Sequence, residues 1–253
     1  MGLYAEPRLA PCGDLAVAVE LGDEISREVN ERVLALDSLI ATRAVPGIVE
    51  TVPSFRSLLV YYEPRVVSHQ ALAATLRALA AEAGAAPPAA ARTVELPCCY
   101  GGELGFELAA AARRLGLAED EVAHLHATAD YHVYFVGFTP GLPYLAGMPD
   151  ALAIPRLETP RTRTPPGSVS IGGSQCCIYS VESPGGFWVL GRTPLRLYDP
   201  RAADPILLRA GDRVRFRAID RAEFDAIAAA VAAGEFRPLI GATPGETRGE
   251  ARP

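Results

Sequence analysis

Beyond Tyr131 the sequence breaks into short β-rich runs separated by Gly and Pro, and this punctuation most constrains how the chain folds. The runs are Tyr131 to Val136, Ser168 to Ile171, Cys176 to Ser180, Phe187 to Leu190, Leu195 to Tyr198 and Val214 to Ile219. Strands this brief hold together only when many share a core, so this part is expected to be mainly β, a sandwich or a small barrel. Ahead of it, Glu107 to Leu115 and Glu119 to His126 read as two short helices, the second opened by acids that suit a helix N-terminus. Ala222 to Ala233 reads as a closing helix.

The first part of the chain has a different rhythm. Leu15 to Glu20 alternates as a strand, and Glu24 to Ile40 then places Ile25, Val29, Val33, Leu36 and Ile40 at helical spacing. Ile48 to Val52 and Ser57 to Tyr62 read as strands joined by a Pro-Ser turn. Ser68 is placed to cap a second helix whose Leu72, Leu76 and Leu79 share one face. With Arg92 to Leu96 as a further strand, the order is that of a split βαβ unit, a sheet with helices on one side. Between the two parts, Gly84 to Ala91 has linker composition, with two prolines and no large side chain. The expected organisation is therefore α+β: an N-terminal α/β domain over residues 1–90, a β domain over 91–240 and a polar, frayed tail over 241–253. An apolar fraction of 49 % in 253 residues is enough for two cores.

All 24 basic side chains are Arg; there is no lysine. This excludes a P-loop lysine, a Schiff-base lysine and a biotinyl or lipoyl carrier lysine, so no lysine-linked cofactor is expected. Any anion must be held by Arg, by backbone N–H groups or by a partner. A formal charge of −6 argues against nucleic acid as the main partner. The Ala-rich stretch Ala226 to Ala233 is far shorter than a membrane span, and the N-terminus lacks the basic-then-apolar order of a signal peptide. A soluble, cytoplasmic protein without membrane partners is expected. The five cysteines, Cys12, Cys98, Cys99, Cys176 and Cys177, form no C-x-x-C spacing and read as reduced and small.

Between Arg156 and Arg217 ten Arg face five acids, so basic charge is concentrated in the β-rich part. Arg161 and Arg163 are two apart, which in an extended segment points both the same way and suits a fork around a carboxylate or phosphate. Arg192 sits between Gly191 and Thr193-Pro194, where backbone comes close to a ligand. Three Gly-rich loops add backbone donors for an anion nest. One carries Phe138, Thr139, Gly141 and Tyr144; another carries Gly172 and Gln175; the last carries Ser183, Gly185 and Gly186. A small-molecule anion is the expected ligand. Histidine is scarce. His124 and His126 are spaced i, i+2 and do not share a helical face, and no third His completes an H-x-H site, so no metal is expected. His126, at a helix end, is the best single general acid or base, against the alternative that it caps that helix. A Cys nucleophile lacks an elbow or helix N-terminus, and G-x-S-x-G is absent.

Four strings carry a family resemblance. Glu95-Leu-Pro-Cys-Cys-Tyr-Gly-Gly102, Tyr134-Phe-Val-Gly-Phe-Thr-Pro-Gly-Leu-Pro-Tyr144, Pro160-Arg-Thr-Arg-Thr-Pro-Pro-Gly-Ser168 and Ser183-Pro-Gly-Gly-Phe-Trp-Val-Leu-Gly-Arg-Thr-Pro194 resemble, in order, the family of bacterial 5-oxoprolinase B subunits. That family is also labelled allophanate hydrolase subunit 1 and sporulation-kinase inhibitor, and is similar to part of the carboxyltransferase region of urea carboxylase. The resemblance spans about Leu9 to Ile219. It implies an N-terminal α/β domain followed by a cyclophilin-like β-barrel. It further implies one member of a heteromeric complex, inactive alone. With two partners, the homologous C subunit plus the A subunit, it would open 5-oxoproline to glutamate while hydrolysing ATP with Mg. On this view His126, Arg163 and Gln175 are catalytic. Phe138, Thr139, Gly141, Tyr144, Arg161, Gly172, Ser183, Gly185, Gly186 and Arg192 bind the substrate or anion. Two departures stand out: Cys176-Cys177 replaces the usual Thr-Gly after Gln175, and Phe106-Glu107 replaces the Asp that follows Tyr-Gly-Gly. The alternatives are a regulatory module acting on a histidine kinase and an allophanate or urea carboxylase-type carboxyltransferase subunit.

Overall fold

The chain divides into two compact units, residues 1–89 and 90–253. The computed structural model describes residues 2–85 and 91–242. Of the expected linker, residues 86–90 lie outside the described residues, as does the expected tail from residue 243 onward.

In the first unit the order is β1 (Leu3–Pro11), β2 (Ala16–Gly22), α1 (Arg27–Arg43), β3 (Ile48–Pro53), β4 (Ser57–Tyr62) and α2 (His69–Ala85). The four strands form a sheet in the order β1-β2-β4-β3, antiparallel throughout. This is the split arrangement with one correction. The strand beside β2 is β1, not Arg92 to Leu96, which belongs to the second unit. α1 forms where the spacing places it, because Val29, Val33, Leu36 and Ile40 all bury on one face. The Ser26 hydroxyl accepts a hydrogen bond from the Val29 amide at 3.3 Å and caps its start. The Ser68 hydroxyl does the same for α2 through the Ala71 amide at 3.2 Å. Leu72, Leu76 and Leu79 join α1 and the inward residues Val17, Val19, Leu58 and Val60 in one core. Each fully buried Leu there contributes about 1.5–3 kcal/mol.

The second unit begins with β5 (Arg92–Tyr100), α3 (Leu108–Leu115) and α4 (Glu119–Thr128). Strands follow: β6 (Tyr131–Val136), β7 (Pro143–Ala146), β8 (Arg161–Thr164), β9 (Ser168–Gly172), β10 (Gln175–Ile178), β11 (Ser183–Gly185), β12 (Trp188–Arg192) and β13 (Arg213–Ala218). The helix α5 (Arg221–Ala233) and the short β14 (Ile240–Ala242) come last. Seven strands run in the ring β12-β9-β10-β7-β6-β13-β5, which closes because β5 also pairs with β12; β14 adds to β5. The expected β domain is thus a closed barrel. β8 and β11 form a separate two-stranded ribbon. The expected strand at Leu195 to Tyr198 is not one: Tyr198 makes only an isolated bridge with Ile206.

Alternation along the barrel strands decides what the site is made of. Val169, Ile171, Cys176 and Ile178 point into the main barrel core. Cys177 and Tyr179, one residue out of phase, leave that core and join Leu142, Phe187 and Tyr144 in a separate cluster. The outer face of β9 and β10 therefore carries its own small apolar site.

Candidate functional site

That outer cluster lines a cleft of about 210 Å³, with Phe138, Arg156, Leu157, Pro160 and Pro184 to Gly186 completing its walls. Sites for drug-sized ligands run from about 300 to 1,000 Å³, so this one suits a smaller molecule. Four of the lining residues are aromatic: Phe138, Tyr144, Tyr179 and Phe187. The Tyr144 ring stacks on Phe135 with centroids 4.6 Å apart. The Tyr179 hydroxyl lies against the Gly185 backbone, where a Cβ would stand only 1.9 Å from it, and it hydrogen-bonds the Phe187 backbone. Burial pushes the Tyr179 phenol up to about 12 and raises Tyr144 too, so both stay protonated and able to donate. The Leu157 amide donates to the Gly186 carbonyl at 2.8 Å and ties two walls together. Phe138 stands exposed at the rim with φ 68, a left-handed backbone that costs a non-glycine residue about 1 kcal/mol or more.

Gly172 is glycine for a steric reason. A Cβ there would lie 2.9 Å from the Phe187 ring and 3.2 Å from the Arg156 Cγ. The Arg156 guanidinium sits over that ring, 4.7 Å from its centroid. Among the described residues Arg156 is the only charged side chain that lines the cleft.

Arg161 and Arg163 do not fork a common anion. Arg161 is held by Glu107 at 2.5 Å and donates to the Phe187 carbonyl at 2.6 Å, with the two charged side chains only 18 % and 16 % exposed. The other Glu107 oxygen accepts from the Val189 amide at 2.7 Å. Arg161 thus braces the cleft wall from behind. Arg163, expected as catalytic, pairs with Glu182 at 3.0 and 2.8 Å on the exposed surface and is not among the residues lining the cleft. The fork was a property of sequence spacing; partners from distant segments satisfy each guanidinium separately.

Of the remaining expected residues, Phe138, Tyr144, Gly185 and Gly186 line the cleft. Thr139 lies 3.4 Å from the Ser180 hydroxyl, and Gly141, at φ +77, packs against Leu197 and Tyr198. Both shape the loop leading to Tyr144. Gln175 opens β10 opposite Gly172 and is not among the lining residues. Ser183 lies buried in the β8–β11 ribbon, its hydroxyl without a hydrogen-bond partner among the described residues. Arg192 is half-buried opposite Ser168, and burial lowers its pKa. The substituted pair Cys176-Cys177 is regular strand, and the positive φ of this turn belongs to Gly173. The exchange of Gly for Cys177 therefore adds a thiol to the cleft floor without straining the backbone. Burial raises that thiol's pKa, so it is not a thiolate nucleophile.

His126 lies elsewhere, in the barrel interior, fully buried among Tyr100, Tyr131 and Phe216. Its Nδ1 faces the Tyr100 hydroxyl at 2.8 Å and its Nε2 the Cys176 thiol at 3.3 Å. Burial lowers its pKa to about 3. The ring expected to transfer a proton is thus buried, neutral and apart from the residues lining the cleft. The residues that sequence reasoning missed are Arg156, Cys177, Tyr179 and Phe187. Of these only Phe187 stood in a quoted motif, Gly-Gly-Phe.

A closed barrel preceded by a split sheet is the architecture of a known class of module. Residues 7–208 match the family described as carboxyltransferase domain, subdomain C and D, and the chain belongs to it. Within that class it is 38 % identical over 208 residues to the B subunit of 5-oxoprolinase from Bacillus subtilis (strain 168), covering 78 % of this chain and 87 % of that protein. The crystal structure of TTHA0988 is similar at TM-score 0.73 and 40 % identity, over 81 % of this chain. The match spans 40 % of that longer chain. The Kluyveromyces lactis urea carboxylase shares the fold at TM-score 0.77 and 21 % identity, over 94 % of this chain and 24 % of that one.

Proposed function

We propose that this chain is the B subunit of an ATP-dependent 5-oxoprolinase, which opens 5-oxoproline to glutamate together with the homologous C subunit plus the A subunit. The observation that carries the reading is the match along 87 % of the Bacillus subtilis protein, joined to a cleft sized and lined for a small planar molecule. A lactam resists hydrolysis because its nitrogen lone pair delocalises into the carbonyl. Phosphorylation of the carbonyl oxygen by ATP, with release of ADP, removes that delocalisation; water adds to the carbon, the ring C–N bond breaks with the amine as leaving group, and hydrolysis of the resulting acyl phosphate releases phosphate and glutamate.

The described residues do not fit a magnesium nucleotide. No group of three His, Cys, Asp or Glu among them could hold a metal, and a cleft with one positive charge is poorly matched to a triphosphate. Nucleotide handling therefore belongs to the partner subunits in this reading. This chain's part is to bind and orient: the lactam ring lies among Tyr144, Tyr179 and Phe187, and the protonated tyrosine hydroxyls donate toward its carbonyl oxygen as negative charge develops there. Among the described residues no helix is long and apolar enough to cross a membrane. We place the complex in the cytoplasm.

The test is reconstitution with the candidate partners, reading 5-oxoproline-dependent release of ADP and glutamate. Turnover that disappears when this chain is omitted supports the reading; no turnover from the full set overturns it. The likeness to urea carboxylase favours one alternative, a carboxyltransferase subunit. That role predicts activity abolished by avidin, whereas the 5-oxoprolinase reaction is indifferent to it.

A further inference from the structure

We propose that Arg156 is the carboxylate-recognition residue of the cleft, and that the ligands it selects are small, flat cyclic monocarboxylates. The identity of the ligand rests on the 5-oxoproline reading above; the site itself rests on geometry. Of the three arginines that the sequence puts forward, Arg161 and Arg163 are occupied by Glu107 and Glu182, and Arg192 is half-buried opposite Ser168 and is not among the residues lining the cleft. Arg156 has no ion pair and no side-chain hydrogen bond among the described residues. Its aliphatic stem packs over Gly172 and its guanidinium lies over the Phe187 ring, so its position is set while its five donors remain free.

The surroundings define what those donors take. Among the described residues no acid lines the cleft, so a bound anion meets no like charge there. A single guanidinium matches one carboxylate in a two-point fork and leaves a dianionic phosphate half-neutralised. The walls are aromatic, which favours a flat body beside the charge, and the volume of about 210 Å³ limits that body to a small ring. Tyr144 and Tyr179 then face the ring edge opposite the carboxylate as neutral donors.

Calorimetric titration of the full chain with three probes tests this: 5-oxoproline, cyclopentanecarboxylate (ring and carboxylate, no lactam) and 2-pyrrolidinone (lactam, no carboxylate). Both carboxylates should bind and 2-pyrrolidinone should not. Arg156→Gln should weaken both carboxylates at least tenfold, and Arg156→Lys should recover part of the loss. Arg156 is exposed at the rim, so neither variant threatens folding. Unchanged affinity in Arg156→Gln, equal binding of 2-pyrrolidinone, or no binding of either carboxylate overturns the proposal. Arg156-dependent binding of cyclopentanecarboxylate with rejection of 5-oxoproline upholds the Arg156 site and removes the 5-oxoproline reading instead. Turnover in the reconstituted set with no effect of Arg156→Gln has the opposite meaning: the function stands and the proposed site falls.

Discussion

The Nε2 atom of His126 lies 3.3 Å from the Cys176 thiol inside the barrel, with the Tyr100 hydroxyl on the other ring nitrogen at 2.8 Å. Burial lowers the pKa of this histidine to about 3 when folded, against 6.5 as its ordinary value. As pH falls through 6.5 the unfolded chain takes up a proton that the folded chain refuses, so the unfolded state binds more protons and stability declines. The contribution is complete above pH 6.5 and is lost progressively toward pH 3. At about 1.4 kcal/mol per unit, roughly 3 kcal/mol has gone by pH 4. Urea unfolding at several pH values should show this slope, and His126→Gln should flatten it. Equal slopes in the two proteins would place His126 outside the core.

The ion pair of Arg161 with Glu107 is largely buried, and it also holds the Phe187 carbonyl and the Val189 amide. Removing either partner leaves a buried charge uncompensated, which costs about 3 kcal/mol. Glu107→Gln and Arg161→Gln should each lower the urea midpoint strongly, and the double variant should lose less than the sum. Arg163→Gln breaks only the exposed pair with Glu182 and should leave the midpoint close to that of the parent chain. A midpoint shift for Arg163→Gln as large as for Arg161→Gln would contradict the two environments described.

Gly185 tests the packing of the cleft wall. A methyl group there would meet the Tyr179 hydroxyl at 1.9 Å, so the ring must move or the ribbon must open. Gly185→Ala should change the near-ultraviolet circular dichroism of the tyrosines while leaving the far-ultraviolet spectrum intact. Identical spectra in both regions would show that Tyr179 does not occupy this position.

Thiol reactivity should separate the cysteines by place. Cys12 is exposed, whereas Cys98, Cys99, Cys176 and Cys177 are buried and burial raises their pKa values. Ellman's reagent should titrate Cys12 alone in the native protein and all the others only in denaturant. Cys12→Ser should abolish the native signal; a second fast thiol would mean that a core cysteine reaches solvent.

Much of the fold was legible because local pattern decided it. Val29, Val33, Leu36 and Ile40 announce α1, and Ser26 and Ser68 cap helices by chemistry available within three residues. β1 was not legible, since the strand from Leu3 to Pro11 buries no residue fully and so shows no clean alternation. The site was read only in part. Gly185 and Tyr144 stand in Gly- and aromatic-rich loops and line the cleft, but the partners of Arg161 and Arg163 come from Glu107 and Glu182, which no spacing rule connects to them. Arg156 stands after Ile154-Pro155 without a motif, and only Phe187, folded back over Gly172, gives it a place.

One consequence follows from the closure of the barrel. The strand β5 pairs with β13 on one side and with both β12 and β14 on the other, so its first residues meet Gly241 and its last meet Gly191. Every neighbour of this leading strand is therefore made long after it. On a growing chain the first unit has all its own strands in hand and completes its sheet, while Val94, Leu96 and Cys98 stay unpaired until most of the remaining sequence has emerged. Contacts of such wide sequence separation make for slow folding. The barrel should be the late, rate-limiting event in the birth of this protein, with its opening strand the part most in need of protection while it waits.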